Sequence, residues 1–261
     1  MLNLNALADR GLGDVTAVIL AGGLGTRLRP ALADRPKVMA EVGGRPFLTY
    51  LLDQLTAVEV RYAVLCTGYL GEQIKATFGD SYRNLRLAYS QEPSPLGTAG
   101  ALRLALPLFK SASVLVMNGD SFCQTNLKTF RKWHQTRGAK ASLLLTEVPD
   151  TQCYGRVQVD KDGLVLRFEE KGHHNGPGWV NAGIYLFDRS QMLTISAEET
   201  LSLEREVFPT WIGRGLYGYQ GEGRFLDIGT PEAYAAAERF FAEDIGRWPN
   251  DDLRCWIETA R

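Results

Sequence analysis

The sequence predicts an α/β fold, in which a mixed, mainly parallel sheet lies between two layers of helices as a three-layer sandwich. Short apolar runs alternate with segments in which apolar residues recur every three or four positions, which is the helical period. Strands that alternate with helices form crossover units, and these place neighbouring strands parallel. The two observations together favour this fold over an all-helical or all-strand one.

The alternation is clearest in the first half of the chain. The predicted strands there are 15–20, 62–67, 85–90 and 113–118, and the predicted helices are 46–58, 71–78, 97–106 and 126–138. Continuous apolar runs such as "SVLVMN" at 113–118 are typical of strands that are buried on both faces.

The pattern changes after residue 140. Strand-like runs at 141–148, 155–160, 164–170 and 179–187 follow one another with fewer helices between them. We expect a mixed extension of the sheet here, with loops facing a substrate. A last helix over 230–245 has Pro231 near its start, where the missing N–H costs nothing.

Composition limits the classes of partner. The chain has 261 residues with 29 basic and 30 acidic side chains, so its formal net charge of −1 gives no global field to attract nucleic acid or a membrane surface. Its four cysteines are far apart and form no CxxC pair, which disfavours a zinc site or a disulfide framework. No apolar run reaches the roughly 18 residues of a membrane helix. We expect a cytoplasmic protein that binds neither nucleic acid nor membrane.

The segment "AGGLGTRLRP" follows the first predicted strand. Glycines after a strand let backbone N–H groups approach a phosphate. The segment fits neither the Walker A pattern nor the dinucleotide pattern, because Leu28 occupies the place of the third dinucleotide glycine, and this argues against a nicotinamide dehydrogenase. The glycines alone could form an ordinary tight turn, but Arg27 and Lys37 add two cations. Arg27 is a forked donor suited to a polyphosphate, and Lys37 is a point charge suited to a single phosphorus.

Six motifs in one order carry a family resemblance that covers residues 15–241. They are "LAGGLGTRLRP" with "RPKVM", "EPSPLGTAGAL" at 92–102, "NGDSF" at 118–122, "FEEK" at 168–171, "NAGIY" at 181–185 and "FLDIGTPEAY" at 225–234. The chain resembles the sugar-1-phosphate nucleotidyltransferases. This implies their Rossmann-like nucleotide-diphospho-sugar transferase fold, with a nucleotide half over 15–140 and a sugar half over 141–241. An N-terminal extension (1–14) and a C-terminal tail (242–261) would flank the domain.

The resemblance also implies the roles of individual residues. The nucleotide would be bound by Leu20, Ala21, Gly22, Gly23, Gly25, Thr26, Glu92, Pro95, Gly97, Thr98 and Asp120. The sugar phosphate would be bound by Gly155, Glu170, Lys171, Asn181 and Gly183. Catalysis would depend on Arg27 at the β and γ phosphates, Lys37 at the α phosphate and Lys171 at the sugar phosphate. Asp120 and Asp227 would hold Mg²⁺, which suits a site of one or two carboxylates with substrate phosphates.

Read without the resemblance, several of these residues have simpler interpretations. Asp120 could be a helix N-cap, Asp227 a turn residue before Gly229, and Glu170 with Lys171 a solvated charge pair. The pairing of distant carboxylates and cations in family order favours the functional interpretation over these.

Glu92 bears on the choice of base. A carboxylate can accept two hydrogen bonds from the N1–H and N2–H₂ edge of guanine, whereas a glutamine would better suit uracil or thymine. GTP is therefore the expected nucleotide, although Glu92 could equally be a surface acid and some uridylyltransferases share this pattern.

The sugar is indicated by resemblance alone. Segments such as "CTGYLGEQIKATFGD" and "SLEREVFP" are most similar to those of D-glycero-α-D-manno-heptose 1-phosphate guanylyltransferases, with mannose-1-phosphate guanylyltransferases as the nearest alternative. This implies a role in precursors of surface polysaccharide. Another sugar-1-phosphate uridylyl- or thymidylyltransferase stays open, as does a catalytically silent sensor or regulatory subunit, although Arg27, Lys37, Asp120, Lys171 and Asp227 are all present.

The tail carries apolar side chains at Trp248, Leu253, Trp256 and Ile257. They could pack on the domain or on a second copy in a homo-oligomer, and we expect packing on the domain.

Overall fold

The computed structural model describes residues 11–23, 25, 28, 32, 35–152, 154–169, 176–196 and 200–243. Its strands are β1 Thr16–Ala21, β2 Glu41–Val42, β3 Arg45–Pro46, β4 Tyr62–Thr67, β5 Ser81–Tyr82, β6 Leu85–Gln91, β7 Ser113–Asn118, β8 Ser121–Cys123, β9 Ala141–Val148, β10 Arg156–Val159, β11 Val165–Glu169, β12 Gly178–Asp188, β13 Leu216–Gln220 and β14 Phe225–Asp227. Its α-helices are α1 Phe47–Ala57, α2 Gly71–Phe78, α3 Gly97–Ala105, α4 Leu127–Thr136, α5 Arg189–Met192, α6 Phe208–Trp211 and α7 Pro231–Ala242. Short 3₁₀ turns at Lys37–Met39 and Leu106–Leu108 and a π-helical turn at Leu203–Val207 complete the elements.

The large sheet runs in the order β11-β10-β12-β7-β1-β4-β6-β5, with β9 beside β12 and β13 beside β9. Its centre is parallel, since β7, β1, β4 and β6 pair in the same direction. Antiparallel pairs lie on both sides of this centre, where β12 meets β7 and β5 meets β6. The mixed α/β sheet predicted from the alternation of elements is therefore confirmed. Its parallel centre lies in the nucleotide half, and one further parallel pair, β13 with β9, lies in the sugar half.

The core lies on both faces of the sheet, as the three-layer prediction requires. Successive residues of β1 alternate between two clusters, because Ile19 packs with α1 on one face and Val18 packs with α3 on the other. A strand points successive side chains to opposite faces, so a strand that is apolar throughout supplies both layers. The C-terminal helix α7 joins the α1 side through Phe240 and Phe241.

The helices predicted from periodicity are present, and side chains cap some of their starts. The Asn126 side chain accepts a hydrogen bond from Thr129 N at the start of α4. Thr230 caps α7 in the same way, accepting from Ala233 N, with Pro231 in the first turn. Each cap satisfies a backbone donor that a helix start leaves without an internal partner.

Strand β12 contains a bulge that the apolar pattern did not predict. Its pairing with β9 shifts register between Asn181 and Tyr185, and Gly183 between them has φ +74°. Beyond the bulge, Ile184–Asp188 pairs with β7, whereas Val180 pairs with β10. A left-handed residue costs glycine little, which explains why the strand can turn at this point.

Part of the predicted N-terminal extension packs on the domain. Leu12 is fully buried, and its N–H bonds to Val58 O at 2.8 Å. Asp14 pairs with Arg131 of α4 at 2.6 Å. Residues 1–10 and 244–261, with the tail's apolar side chains, lie outside the described residues. Within the described part of the chain, no helix combines the length and apolarity that a membrane crossing needs.

Candidate functional site

The carboxyl ends of three parallel strands lie in one row. Ala21 at the end of β1 is opposite Thr67 at the end of β4, and Thr67 is opposite Gln91 at the end of β6. The next residues along β1 and β6 are Gly22 and Glu92. Ligands of open α/β sheets bind at this edge, so the topology itself brings two of the predicted nucleotide-binding residues together.

Two glycines allow the backbones to approach closely at this edge. A Cβ on Gly22 would collide with Glu92 Oε1, and a Cβ on Gly68 would lie 2.7 Å from Gly22 O. Real Cβ atoms do not come this close to other atoms. Gly22 therefore leaves room for the Glu92 carboxyl group, and Gly68 leaves room for the first strand's loop.

A cavity of about 260 Å³ opens at this edge. This volume is slightly below the usual range for ligand pockets, so the cavity has room for part of a nucleotide-sized ligand. Its lining includes Lys37 and nine of the eleven predicted nucleotide-binding residues: Leu20, Ala21, Gly22, Gly23, Glu92, Pro95, Gly97, Thr98 and Asp120. Of the other two, Gly25 is not in the lining and Thr26 lies outside the described residues.

Glu92 presents a half-buried carboxyl group to this cavity. Its Oε2 accepts a hydrogen bond from Leu96 N at 2.8 Å, which holds the side chain in place. Burial raises the pKa of Glu92, and the bond from Leu96 N opposes that rise. A carboxylate has about four acceptor positions, so the group retains acceptor capacity for a ligand.

Lys37 and Asp120 form an ion pair that lines the same cavity. Lys37 begins a 3₁₀ turn after Pro36, while Asp120 follows the end of β7. Lys37 Nζ lies 2.7 Å from Asp120 Oδ2, and the Lys37 side chain is only 11% exposed. The lysine ammonium is therefore held inside the site. Gly25, with φ +58°, lies behind it, since a Cβ there would contact the Lys37 Cβ at 3.3 Å.

A pair of short strands brings the Asp227 segment next to the backbone of Asp120. β8 and β14 pair antiparallel with Asp227 opposite Ser121, and Ile228 N donates to Asp120 O at 2.9 Å. Asp227 Oδ1 also accepts from Gly229 N at 2.7 Å, so Asp227 makes the turn contact of its simpler interpretation, and its metal role stays a prediction. The fold thus places two aspartates that are far apart in sequence on adjacent, hydrogen-bonded backbone segments.

The described residues of the sugar half lie next to the segment that carries Asp120. A Cβ on Gly183 would lie 2.6 Å from Ser121 Oγ and 2.8 Å from Asn118 Nδ2, so the bulge of β12 packs on the segment that carries Asp120. Asn181 Oδ1 accepts from Gly183 N at 2.9 Å. Gly155 lies beside the backbone of β11, where a Cβ would be 3.0 Å from Glu169 O.

Four predicted site residues lie outside the described residues, and they are Thr26, Arg27, Glu170 and Lys171. Their roles stay predictions.

Sequence reasoning missed four residues of the cavity lining: Val38, Cys66, Ala101 and Asn118. Asn118 could have been found, because it ends the same apolar run that directs Asp120 to the sheet edge. Burial raises the pKa of the Cys66 thiol, which keeps it neutral. Ala101 and Cys66 gave no signal, since small apolar residues at such positions are typical of an ordinary core.

Comparisons with known proteins agree with this arrangement. The nucleotidyl transferase family model matches residues 16–244. The chain is 36% identical over 239 residues to a mannose-1-phosphate guanylyltransferase of Mycobacterium tuberculosis, covering 90% of this chain and 67% of that one. It is 33% identical over 224 residues to a D-glycero-alpha-D-manno-heptose 1-phosphate guanylyltransferase of Aneurinibacillus thermoaerophilus, covering 85% and 96%.

A solved structure shares the fold. The crystal structure of HddC from Yersinia pseudotuberculosis superposes with a TM-score of 0.79 at 31% identity, covering 87% of this chain and 99% of that one. The same protein complexed with GMP-PN gives a TM-score of 0.77. The match over most of the domain confirms the resemblance seen in the six motifs. The chain belongs to the nucleotidyl transferase family.

Proposed function

We propose that the protein transfers GMP from GTP to a sugar 1-phosphate, giving a GDP-sugar and pyrophosphate. The observation that carries this proposal is one cavity lined by Glu92, Lys37 and Asp120, with Lys37 and Asp120 in direct contact. Such a cavity combines an acceptor for a base with a buried cation for a phosphate. Family membership, and the guanylyltransferase names of the relatives, support the same reaction.

Glu92 would select the base. Guanine offers two neighbouring N–H donors, and a carboxylate can accept both, whereas uracil and thymine offer one donor beside an acceptor. The bond from Leu96 N fixes the carboxyl group before a ligand arrives, which lowers the entropy lost on binding. Gly22 leaves the space that this group occupies.

The transfer step itself needs little proton chemistry. A sugar phosphate has a second pKa of about 6, so near neutral pH its oxygen can attack without a protein base. An oxygen of the sugar phosphate forms a bond to the α-phosphorus, the bond from that phosphorus to the bridging oxygen breaks, and pyrophosphate leaves with the electron pair. The obstacle is repulsion between two anions. Lys37 at the α phosphate would reduce it, with Arg27 at the leaving phosphates and Lys171 at the sugar phosphate.

Asp120 and Asp227 would hold Mg²⁺. Their chemistry fits this cation, because two carboxylates on neighbouring backbone segments, at the end of β14 and just before β8, supply the hard oxygen ligands that Mg²⁺ prefers. Among the described residues, no group of three or more histidine, cysteine, aspartate or glutamate side chains forms a metal cluster, so the remaining ligands would be phosphate oxygens and water. When bound, the ion supplies positive charge that neutralises phosphate oxygens.

D-glycero-α-D-manno-heptose 1-phosphate is our preferred sugar substrate, on the sequence segments that resemble that subfamily and on the similarity to the Aneurinibacillus thermoaerophilus relative. Mannose 1-phosphate is the second candidate, since the Mycobacterium tuberculosis relative is named for it and is 36% identical. Either product would serve as a precursor of surface polysaccharide, made in the cytoplasm.

A substrate panel tests the proposal. Purified protein with Mg²⁺ is mixed with GTP, UTP, dTTP, CTP or ATP, each crossed with heptose, mannose, glucose and N-acetylated sugar 1-phosphates, and pyrophosphate release is measured. We expect the fastest release with GTP and the heptose. Turnover only with UTP or dTTP would contradict the role of Glu92, and no turnover with any pair would favour a catalytically silent sensor.

A further inference from the structure

Glu204 lies between the two halves of the site, and neither the six family motifs nor the cavity lining includes it. It is the second residue of the π-helical turn Leu203–Val207. Its Oε2 accepts hydrogen bonds from Ser202 Oγ at 2.9 Å and from Thr98 Oγ1 at 3.3 Å. Its Oε1 accepts from the Tyr185 hydroxyl at 2.9 Å. One oxygen therefore binds the nucleotide half, through Thr98, and the other binds the sugar half, through Tyr185.

On the nucleotide side, the segment around Glu204 supports the loop at 92–98, which carries Glu92. Leu201 N donates to Leu96 O at 2.9 Å, and Leu203 N donates to Thr98 Oγ1 at 2.7 Å. Gly97 has φ +73°, and a Cβ there would collide with Leu201 O. Leu96 in turn supplies the N–H that holds the Glu92 carboxyl group. A change at Glu204 therefore reaches the base-binding carboxylate through a short chain of contacts.

On the sugar side, Glu204 fixes the direction of hydrogen bonds around Tyr185. A carboxylate only accepts, so the Tyr185 hydroxyl must donate to it and can then only accept from others. Asn181 Nδ2 donates to this hydroxyl at 2.8 Å, and the Asn118 amide also bonds to it. The orientation of both amide groups follows, which leaves Asn181 Oδ1 to accept from Gly183 N.

The network leaves one polar atom in the nucleotide cavity's lining without a protein partner. Asn118 Oδ1 is buried and has no hydrogen-bond partner among the described residues. The Tyr185 ring is fully buried and stacked on Phe187 at 5.6 Å, so the hydroxyl cannot turn to a water instead. Burial and the neighbouring Glu204 raise the pKa of Tyr185, which keeps its proton in place for Glu204.

We propose that Glu204 is a positioning residue that holds the base-binding loop against the sugar-binding strand, so that the affinity for each substrate depends on contacts made in the opposite half. This inference rests on the proposed function, because it concerns the two substrates of that reaction. Glu204 touches neither substrate itself. It acts through Thr98 on one side and through Tyr185 on the other.

Three variants test this coupling. Glu204→Ala removes both bonds. Glu204→Gln can still accept from Tyr185 with its amide oxygen while its NH₂ group donates to Ser202 and Thr98, so it should rescue part of the loss. Tyr185→Phe removes the bond to Glu204 together with the hydroxyl's bonds to Asn181 and Asn118, and it keeps the buried ring.

The measurements are KM for GTP and for the sugar 1-phosphate, kcat, and the affinity for GTP alone by calorimetry. We expect Glu204→Ala to raise both KM values about tenfold, and Glu204→Gln to raise them less. Tyr185→Phe should weaken the binding of GTP alone about threefold, although Tyr185 lies in the sugar half. Because calorimetry uses no sugar, this last result reports on coupling between the two halves. The Glu204→Gln variant keeps the bond between Tyr185 and Asn118, so its GTP affinity shows how much of that coupling passes through Glu204.

Two controls separate positioning from folding. Glu206→Ala removes the 2.6 Å bond from Ser202 N in the same helical turn but contacts neither Thr98 nor Tyr185. Tyr82→Phe removes the 2.7 Å hydrogen bond that the Tyr82 hydroxyl donates to Asp53 Oδ1. Tyr82 lies in β5, at the edge of the sheet. Both should leave the two KM values unchanged, and thermal unfolding of each variant shows which ones fold.

The outcomes are distinct. If Glu206→Ala matches Glu204→Ala, or if Tyr185→Phe binds GTP as the wild type does, Glu204 does not couple the sites. If Glu204→Ala fails to fold, Tyr185→Phe and Glu204→Gln still decide the question. If the wild type itself neither binds GTP nor turns over, the proposed function fails, which is a different result from unchanged affinities in an active enzyme.

Discussion

The two halves of the site are built in different ways. In the nucleotide half, Gly22, Glu92 and Asp120 come directly after or soon after parallel strands, at one edge of the sheet. In the sugar half, Asn181 and Gly183 lie inside β12, a strand that otherwise pairs as ordinary sheet. They reach the site because the bulge at Gly183 breaks the register. The first half depends on topology, and the second depends on a local irregularity.

This difference predicts which residues of such a site can be substituted without disturbing the rest of it. Residues that follow strands are placed by the whole sheet, so changing one of them should affect its immediate contacts without disturbing the opposite half of the site. A bulge is held by a single backbone conformation, so changing it moves every residue beyond it. The variants below test this contrast, beginning with the largest expected effect.

Asp120→Asn removes one carboxylate from the proposed magnesium site and the partner of Lys37. We expect kcat/KM to fall by at least about 100-fold, because a neutral amide holds a hard cation far less well. Pyrophosphate release across a range of Mg²⁺ concentrations measures this, and the melting temperature checks the fold. Asp162→Asn, on an exposed turn, is the matched control. A normal rate in Asp120→Asn would remove Asp120 from the metal site.

Glu92→Gln keeps the shape of the side chain but replaces one acceptor with a donor. A hydrogen bond to a charged group contributes about 1.5–3 kcal/mol, so kcat/KM for GTP should fall roughly 10- to 100-fold. The same variant should gain activity with UTP or dTTP relative to GTP. Competition between the nucleotides in one reaction measures the ratio, with Glu222→Gln on the surface as control. An unchanged preference would place base recognition elsewhere.

Gly183→Ala tests the bulge. Its φ of +74° strains an alanine, and the added Cβ would lie within 3 Å of both Ser121 Oγ and Asn118 Nδ2. Because the bulge joins the two halves, we expect KM to rise about tenfold for both substrates. Gly213→Ala carries the same backbone strain, with φ +73° and no atom within 4 Å, and should leave both KM values alone. Equal effects of the two variants would mean that strain, and not position, is responsible.

Gly22→Ala tests the strand-end site. The added Cβ would displace the flexible end of Glu92 and lie 3.3 Å from Gly68 N, so the backbone must shift by only a few tenths of an ångström and we expect the protein to fold. We expect KM for GTP to rise severalfold while KM for the sugar 1-phosphate stays the same. Gly13→Ala, whose Cβ would make ordinary contacts, is the control. A matching rise for the sugar phosphate would contradict the contrast between the halves.

The smallest effect concerns the junction of the halves. His134 of α4 is buried with its Nδ1 2.8 Å from Ser142 Oγ of β9, and burial, followed by Arg131, lowers its pKa to about 4. The unfolded chain binds this proton near pH 6.5 and the folded chain does not, so stability falls as the pH drops between 6.5 and 4. We expect a loss of about 1 kcal/mol from pH 7 to 5.5, measured by urea unfolding. His134→Gln should show a smaller loss.

The sequence predicted the sheet, its helices and the strand-end residues because alternation and apolar runs depend on local pattern. It predicted the strand of residues 179–187 but not its bulge, since a register shift depends on packing against Asn118 and Ser121. The pairing of Asp120 with Asp227 came from family resemblance, because β8 and β14 are three-residue strands with no periodic signal. Glu204 was overlooked for a similar reason: a glutamate in "SLEREVFP" is typical of an exposed helix, and only tertiary contacts reveal its partners.

The close packing of Gly22 and Gly68 has a consequence for how base preference could evolve or be redesigned. At Gly22, where the cavity is lined by backbone, a substitution takes space away before it can add a recognition group. New selectivity is therefore easier to obtain at lining positions that already carry a side chain, such as Glu92, Cys66 and Ala101. A library of variants at those three positions would test which bases the protein accepts, and it would leave the Lys37–Asp120 pair unchanged.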